Sequence, residues 1–304
     1  MWGGSSITIN SNTWSFRNRA ASELLASVPH FAWTFRAAAV SGQATWAQLV
    51  KLSANVLAYS PNLVVLDTAN NDGSTMDNAT IEAYVLRVWA ANPETRILLW
   101  NFFAVADQNV NANVNTPTDE GNVLATNAVA AHYNIPLLDY WGTIKQRVND
   151  EGHDLNEFMN DTIHPNETGH NEAYTLLEPK LLASDGTHPE TLPARLYAAS
   201  SDFEYTPTIQ NGTDYDSRTG SWTDAGTVVS STSAGATITY SFTGRSFGIF
   251  RADSTYPSQE ISIDGGAFVL TPLYANGVDI GTRAAHTIII RVVASIKIEE
   301  FWSI

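Results

Sequence analysis

One change of pattern divides this sequence. Up to about residue 182, short apolar runs at 62–66, 97–100 and 135–138 alternate with longer amphipathic stretches at 81–91 and 122–132. Runs of that length suit buried strands, and the intervening periodicity suits helices that cover them. The rhythm implies a parallel sheet with helices on its faces. After Pro179 the text is different. From about Tyr205 onward Ser, Thr and Gly dominate, and alternating apolar runs appear at 236–242, 247–250, 260–263 and 286–292. Such alternation belongs to half-buried antiparallel strands, and Asp264-Gly265-Gly266 reads as a hairpin turn between two of them. The expected fold is therefore an α/β domain followed by an all-β, jelly-roll-like sandwich. Asp185-Gly186, Pro189 and Pro193 punctuate the segment between, which sets the expected boundaries at 1–183, a linker at 184–204, and 205–304.

With 304 residues the chain has room for about two domains. Its 44% hydrophobic and 15% charged composition excludes disorder as the main state. Sixteen Lys and Arg stand against thirty-one Asp and Glu, a net charge of −15 that repels phosphate backbones and excludes nucleic acid as a natural partner. The absence of cysteine removes disulfides, thiolate catalysis and zinc-thiolate sites together. No apolar run reaches the roughly 20 residues of a membrane span. Met1-Trp2-Gly3-Gly4 is not the basic start of a secretory signal, so an exported protein would carry its signal outside these residues.

A serine becomes a useful nucleophile only when a neutral imidazole takes its proton and a carboxylate orients that imidazole. Two segments offer these groups. Gly3-Gly4-Ser5-Ser6-Ile7-Thr8 has small residues that let the backbone turn sharply and present a hydroxyl beside its own amide. Asp161-Thr162-Ile163-His164-Pro165-Asn166 places an Asp three positions before a His, on a loop stiffened by Pro165 and directly before a helical stretch. Between them, in order, stand Val40-Ser41-Gly42-Gln43 and Ala69-Asn70-Asn71-Asp72. Over about residues 2–182 these four blocks resemble the SGNH (GDSL-like) hydrolase family. The resemblance implies a three-layer α/β/α, flavodoxin-like domain. It also implies Ser6 as nucleophile, His164 as general base and then acid, Asp161 as its orienting partner, and an oxyanion hole of the Ser6 and Gly42 backbone amides with the Asn71 side chain. Ser5 stands where the family has Asp, and Ala69 where it has Gly. Only three residues precede the turn, which leaves either a short first strand or a chain cut from a longer polypeptide. Asp185-Gly186-Thr187-His188-Pro189 repeats the Asp-x-x-His-Pro pattern within the linker and is a second candidate for the catalytic pair. His170 reads as a helix-surface or packing residue, Asp67 and Asp72 as turn or solvent residues, and no metal site is expected.

The leading function is a serine esterase that needs no cofactor. The β domain resembles sandwich modules of carbohydrate esterases, which directs the expectation to acetyl or other short acyl esters on a polysaccharide. The setting is then extracellular, secreted or particle-associated. Two alternatives stay open: an acyl hydrolase of short-chain lipids or thioesters, and a non-catalytic carbohydrate-binding protein on a decayed hydrolase scaffold. The β domain could equally serve assembly, so the oligomeric state stays open too.

Overall fold

The computed structural model describes residues 2–3, 15–29, 32–39, 45–67, 79–101, 117–160, 164–181, 186–193, 196, 208–251, 259–271 and 278–303. The chain divides into two compact units, Met1–Ala198 and Ala199–Ile304.

In the first unit the apolar runs form a parallel sheet. Its strands are β1 (Trp2–Gly3), β2 (Leu63–Asp67), β3 (Arg96–Trp100) and β4 (Leu137–Leu138), hydrogen-bonded in that order among the described residues. β2 and β3 are buried from their second residue to their last, as strands covered on both faces must be. Side chains alternate across them. Val65, Leu98 and Trp100 pack with α1 (Phe16–Ser27), α6 (Tyr140–Asn149) and α7 (Glu167–Leu181) in one core cluster. Val64, Leu66, Ile97 and Leu99 are as fully buried and point to the opposite face. There α5 (Pro117–His132) packs on β3, and α4 (Ala79–Ala91) packs on both α5 and α2 (Thr45–Val50). A short α3 (Leu52–Asn55) follows α2. This is the three-layer α/β/α arrangement expected from the sequence.

The register decides where the strands end. Gly3 lies opposite Leu66, Asp67 opposite Trp100, and Trp100 opposite Leu138. All four carboxyl ends therefore share one edge of the sheet. Ligands of open α/β sheets bind outside that edge.

Gly186 and Leu196, within the expected linker, are hydrogen-bonded to the first unit. The Ile97 amide donates to the Gly186 carbonyl at 2.9 Å, and the Leu196 amide donates to the buried Glu82 carboxylate at 2.7 Å. Gly186 takes φ +80°, and a Cβ there would press on Pro136 at 2.8 Å, so this contact requires glycine.

The second unit is antiparallel throughout. Its strands are β5 (Thr208–Asn211), β6 (Ser217–Thr219), β7 (Thr223–Ala225), β8 (Val228–Ser231), β9 (Thr237–Arg251), β10 (Gln259–Ile263), β11 (Val269–Thr271), β12 (Val278–Arg291) and β13 (Ile296–Ser303). The apolar runs at 236–242 and 247–250 are one strand, β9. Its first half pairs with β6 and its last residues with β13, while β12 follows its other edge. Inward residues from these strands meet in one core, centred on Phe301 stacked on Tyr240 at 4.5 Å and flanked by Phe242 and Phe247. Asp264 and Gly265 both have positive φ, and Gly266 N–H donates to the Ile263 carbonyl at 2.8 Å. That geometry makes the tight hairpin turn from β10 to β11. Arg218 and Asp224, on β6 and β7, pair at 2.5 Å on the edges of this unit, where charge discourages further strand pairing.

Candidate active site

The loop before α7 is closed by its own backbone. The turn at Leu155–Glu157 is fixed by a capping box between Asp154 and Glu157. Asn166 N–H then donates to the Phe158 carbonyl at 2.9 Å, Asn160 N–H donates to the His164 carbonyl at 2.8 Å, and Met159 and Pro165 form an antiparallel bridge. Asn166 uses its whole side chain here. Its amide donates to the carbonyls of Asn156 and Glu157, while its oxygen accepts from Gly169 N–H and caps α7. His164 sits half-buried at the head of this loop.

Gly169 allows the loop to lie this close. A Cβ at this position would fall on the Phe158 carbonyl oxygen and within 2.8 Å of both Pro165 Cβ and the Tyr140 hydroxyl. Overpacking of this kind costs about 1–3 kcal/mol. Gly169→Ala should lower the melting temperature by several degrees and reduce ester hydrolysis, measured by thermal scanning and initial rates. An unchanged melting temperature would show that the loop gives way without cost.

Below the loop lies a buried aromatic column. Tyr140 meets Trp100 edge-on at 6.1 Å, Trp100 meets Phe16 at 4.3 Å, and Phe16 stacks on His170 at 5.7 Å. Burial pushes the Tyr140 phenol pKa up, so it stays protonated. Burial also pushes the His170 imidazole down to about 4 from its ordinary 6.5. The folded chain thus holds His170 neutral where the unfolded chain would protonate it. Its contribution is whole above about pH 6.5 and declines as pH falls towards about 4, by roughly 3 kcal/mol at most. The loss in melting temperature from pH 7 to pH 4.5 should be smaller in His170→Gln than in the wild type; an equal loss would place the acid sensitivity elsewhere.

At the carboxyl ends of β3 and β4, Asn101 is fully buried. Its amide donates to Asp139 at 2.5 Å and to Asn127 at 2.9 Å, and its oxygen accepts from Trp141 N–H at 3.3 Å. Asp139 also caps α6 by accepting from Gly142 N–H. This network ties the carboxyl end of β3 to α5 and to the start of α6. Its sequence signal was an Asn directly after the apolar run at 97–100 and an Asp directly before Tyr140-Trp141-Gly142. Both residue types are common enough that neither stands out from the sequence.

Of the residues expected to carry chemistry, His164 is described, whereas Ser6, Gly42, Asn71 and Asp161 lie outside the described residues. The strand ends that precede two of them are visible. Gly3, three residues before Ser6, and Asp67, four residues before Asn71, leave the sheet at its carboxyl edge. The second Asp-x-x-His-Pro string is elsewhere. His188 lies edge-on to Trp89 at 5.3 Å, and Gly186 is bonded to Ile97 near the amino end of β3. Asp67 is 2% exposed, so it is a buried strand-end residue and not a solvent-facing one. His170, at 1% exposure, is a packing residue. Among the described residues no group of three His, Asp or Glu side chains could hold a metal ion, and no helix is long and apolar enough to cross a membrane.

The model of the GDSL-like lipase/acylhydrolase family matches residues 4–171, more than half of the sequence. The chain belongs to that family. The strand–helix order of this acylhydrolase accords with it. No curated protein is matched by the sequence. Among solved structures, a two-domain esterase (CEX) active on acetylated mannans, crystallized with mannopentaose, matches with a TM-score of 0.77 at 19% identity, over 99% of this chain and 90% of that one. An acetyl xylan esterase, AlAXEase, matches with a TM-score of 0.52 at 16% identity, over 60% of this chain and all of that one. A GDSL-like lipase from Parabacteroides merdae matches with a TM-score of 0.51 at 16% identity, over 58% and 92%. At these identities the likenesses establish the fold. The first spans both units, and the other two span about the length of the first.

Proposed function

We propose that this GDSL-like acylhydrolase removes acetyl or other short acyl groups from a polysaccharide. Ser6 Oγ attacks the ester carbonyl while His164 takes its proton, and Asp161 holds the imidazole in the required tautomer. The backbone amides of Ser6 and Gly42 and the side chain of Asn71 receive the oxyanion, each such donor being worth about 3 kcal/mol in favourable cases. The tetrahedral species collapses as His164 passes its proton to the leaving sugar oxygen, which yields an acyl-enzyme and a free hydroxyl. Water, deprotonated by His164, then releases the acid and restores Ser6.

The observation that carries this reading is the fold likeness over 99% of the chain to a two-domain esterase active on acetylated mannans. The closed His164 loop ahead of α7 and the shared carboxyl edge beyond Gly3 and Asp67 support the assignment of the triad. In this reading residues 1–183 are catalytic, 184–204 connect, and 205–304 serve as an accessory module that engages glycan. The enzyme works outside the cell, where polysaccharides are met.

A series of p-nitrophenyl esters from acetate to octanoate tests the acyl preference, and release of acetate from acetylated mannan and xylan tests the polymer. The acetate ester should be the best substrate of the series, and at least one polymer should be deacetylated. A rate that climbs towards six or eight carbons, with neither polymer touched, would favour lipid or thioester substrates. No turnover on any ester would favour a binding protein.

A further inference from the structure

We infer that His170 is a positioning residue whose neutral imidazole fastens the start of α1, which follows the Ser6 segment, to the start of α7, which follows the His164 loop. The inference rests on the proposed pairing of Ser6 with His164.

The first amides of a helix have no partner within it. At α1, Ser15 Oγ accepts from Asn18 N–H and the Ser15 carbonyl accepts from Arg19 N–H. Phe16 N–H is directed away from the helix, to Nδ1 of His170 at 3.5 Å. Phe16 is 0% and His170 1% exposed, so water does not stand in for that acceptor. The two rings stack at 5.7 Å with planes 14° apart. To accept on Nδ1 the imidazole must be neutral and carry its proton on Nε2. The His170 backbone is itself held, because its main-chain N–H donates to the Asn166 carbonyl at 2.9 Å, in the residue that closes the His164 loop. A second contact continues the seam: Arg19 bonds the Asn171 side chain, and its guanidinium lies 4.2 Å from the centre of the Tyr174 ring.

The residue type is specific to this task. A phenylalanine would fill the space and keep the stack, yet it has no ring nitrogen to accept from Phe16 N–H. His170 lies six residues after His164, and Phe16 ten after Ser6. The bond thus joins the two helices that follow, in sequence, the segments proposed to present nucleophile and base to each other. A displacement of about 1 Å at such a junction can cost on the order of a hundredfold in rate.

The test compares the intact wild type with His170→Phe and His170→Gln. Readouts are kcat and KM for p-nitrophenyl acetate, melting temperature, and labelling of Ser6 by a fluorophosphonate. His170→Phe should lose about 10- to 100-fold in kcat with KM little changed. His170→Gln, whose amide oxygen can accept the same bond, should recover most of that loss. A wild-type kcat in His170→Phe, or losses in both variants that merely follow the folded fraction, would overturn the inference. If His170→Phe does not fold, imidazole nitrogen shifts of the wild type decide. Protonated Nε2 and bare Nδ1 at pH 7 are expected, and the opposite tautomer would refute the bond. A wild type that turns over esters without labelling at Ser6 would instead remove the triad on which the inference stands.

Discussion

Replacement of Ser6 by alanine should lower kcat on p-nitrophenyl acetate by about ten-thousand-fold or more and leave folding untouched. Three groups act there as one unit, so His164→Ala should cost about as much, and the double variant little more than either alone. The residual rate would come from the oxyanion donors, which survive both substitutions. His188→Ala is the informative control. It alters the second Asp-x-x-His-Pro string, whose histidine packs on Trp89 while its Gly186 is bonded near the amino end of β3. Its kcat should stay within about twofold of the wild type, in line with a ring remote from the strand ends where the reaction is proposed. Circular dichroism and melting curves beside the kinetics separate lost chemistry from lost fold. Activity that survives Ser6→Ala would sink the nucleophile assignment, and activity that vanishes in His188→Ala would move the base to the second string.

The largest effect on stability should come from Phe301→Ala. Phe301 is fully buried on β13, stacks on Tyr240 at 4.5 Å with planes 2° apart, and lies 5.7 Å from Phe242 and 5.9 Å from Phe247. Truncation removes the ring common to three aromatic contacts and leaves a cavity, at a cost of about 3–5 kcal/mol. For a unit of roughly a hundred residues that amounts to well over 10 °C in melting temperature. The residue sits in the second unit, whereas the proposed triad belongs to the first. Hydrolysis of p-nitrophenyl acetate at 25 °C should therefore persist while the second unit unfolds early in a thermal scan. Release of acetate from acetylated mannan should fall with it if the β unit engages the polymer. Equal loss on the small ester and the polymer would show that the triad depends on the second unit; no loss on either would remove the accessory role.

Much of this was legible in the order of residue types. The run at 62–66 became β2, the run at 97–100 became β3, and the stretches at 81–91 and 122–132 became the bodies of α4 and α5. Periodicity reports which faces are buried, and burial is what fixes these elements. The change in pattern after Pro179 likewise marked a change of architecture, although Pro179 itself lies inside the last turns of α7. The order of four short blocks also pointed to the family whose model matches residues 4–171, even where overall identity to solved relatives is low.

Other features depended on contacts distant in sequence, which local pattern does not encode. Two apolar runs merged into the single strand β9 because β12 and β13 supply hydrogen-bond partners along its length. The two Asp-x-x-His-Pro strings are alike as text and differ in the sequence by the helical stretch that follows the first; the structure adds the contacts of the second, whose Gly186 accepts from Ile97 N–H and whose His188 packs on Trp89. His170 looked like a surface or packing residue until the approach of α1 gave its Nδ1 a buried amide to accept from. A sequence determines which residues seek burial, which can turn and which carry chemistry. Which buried polar atom meets which partner is decided by the packing of elements up to 154 positions apart.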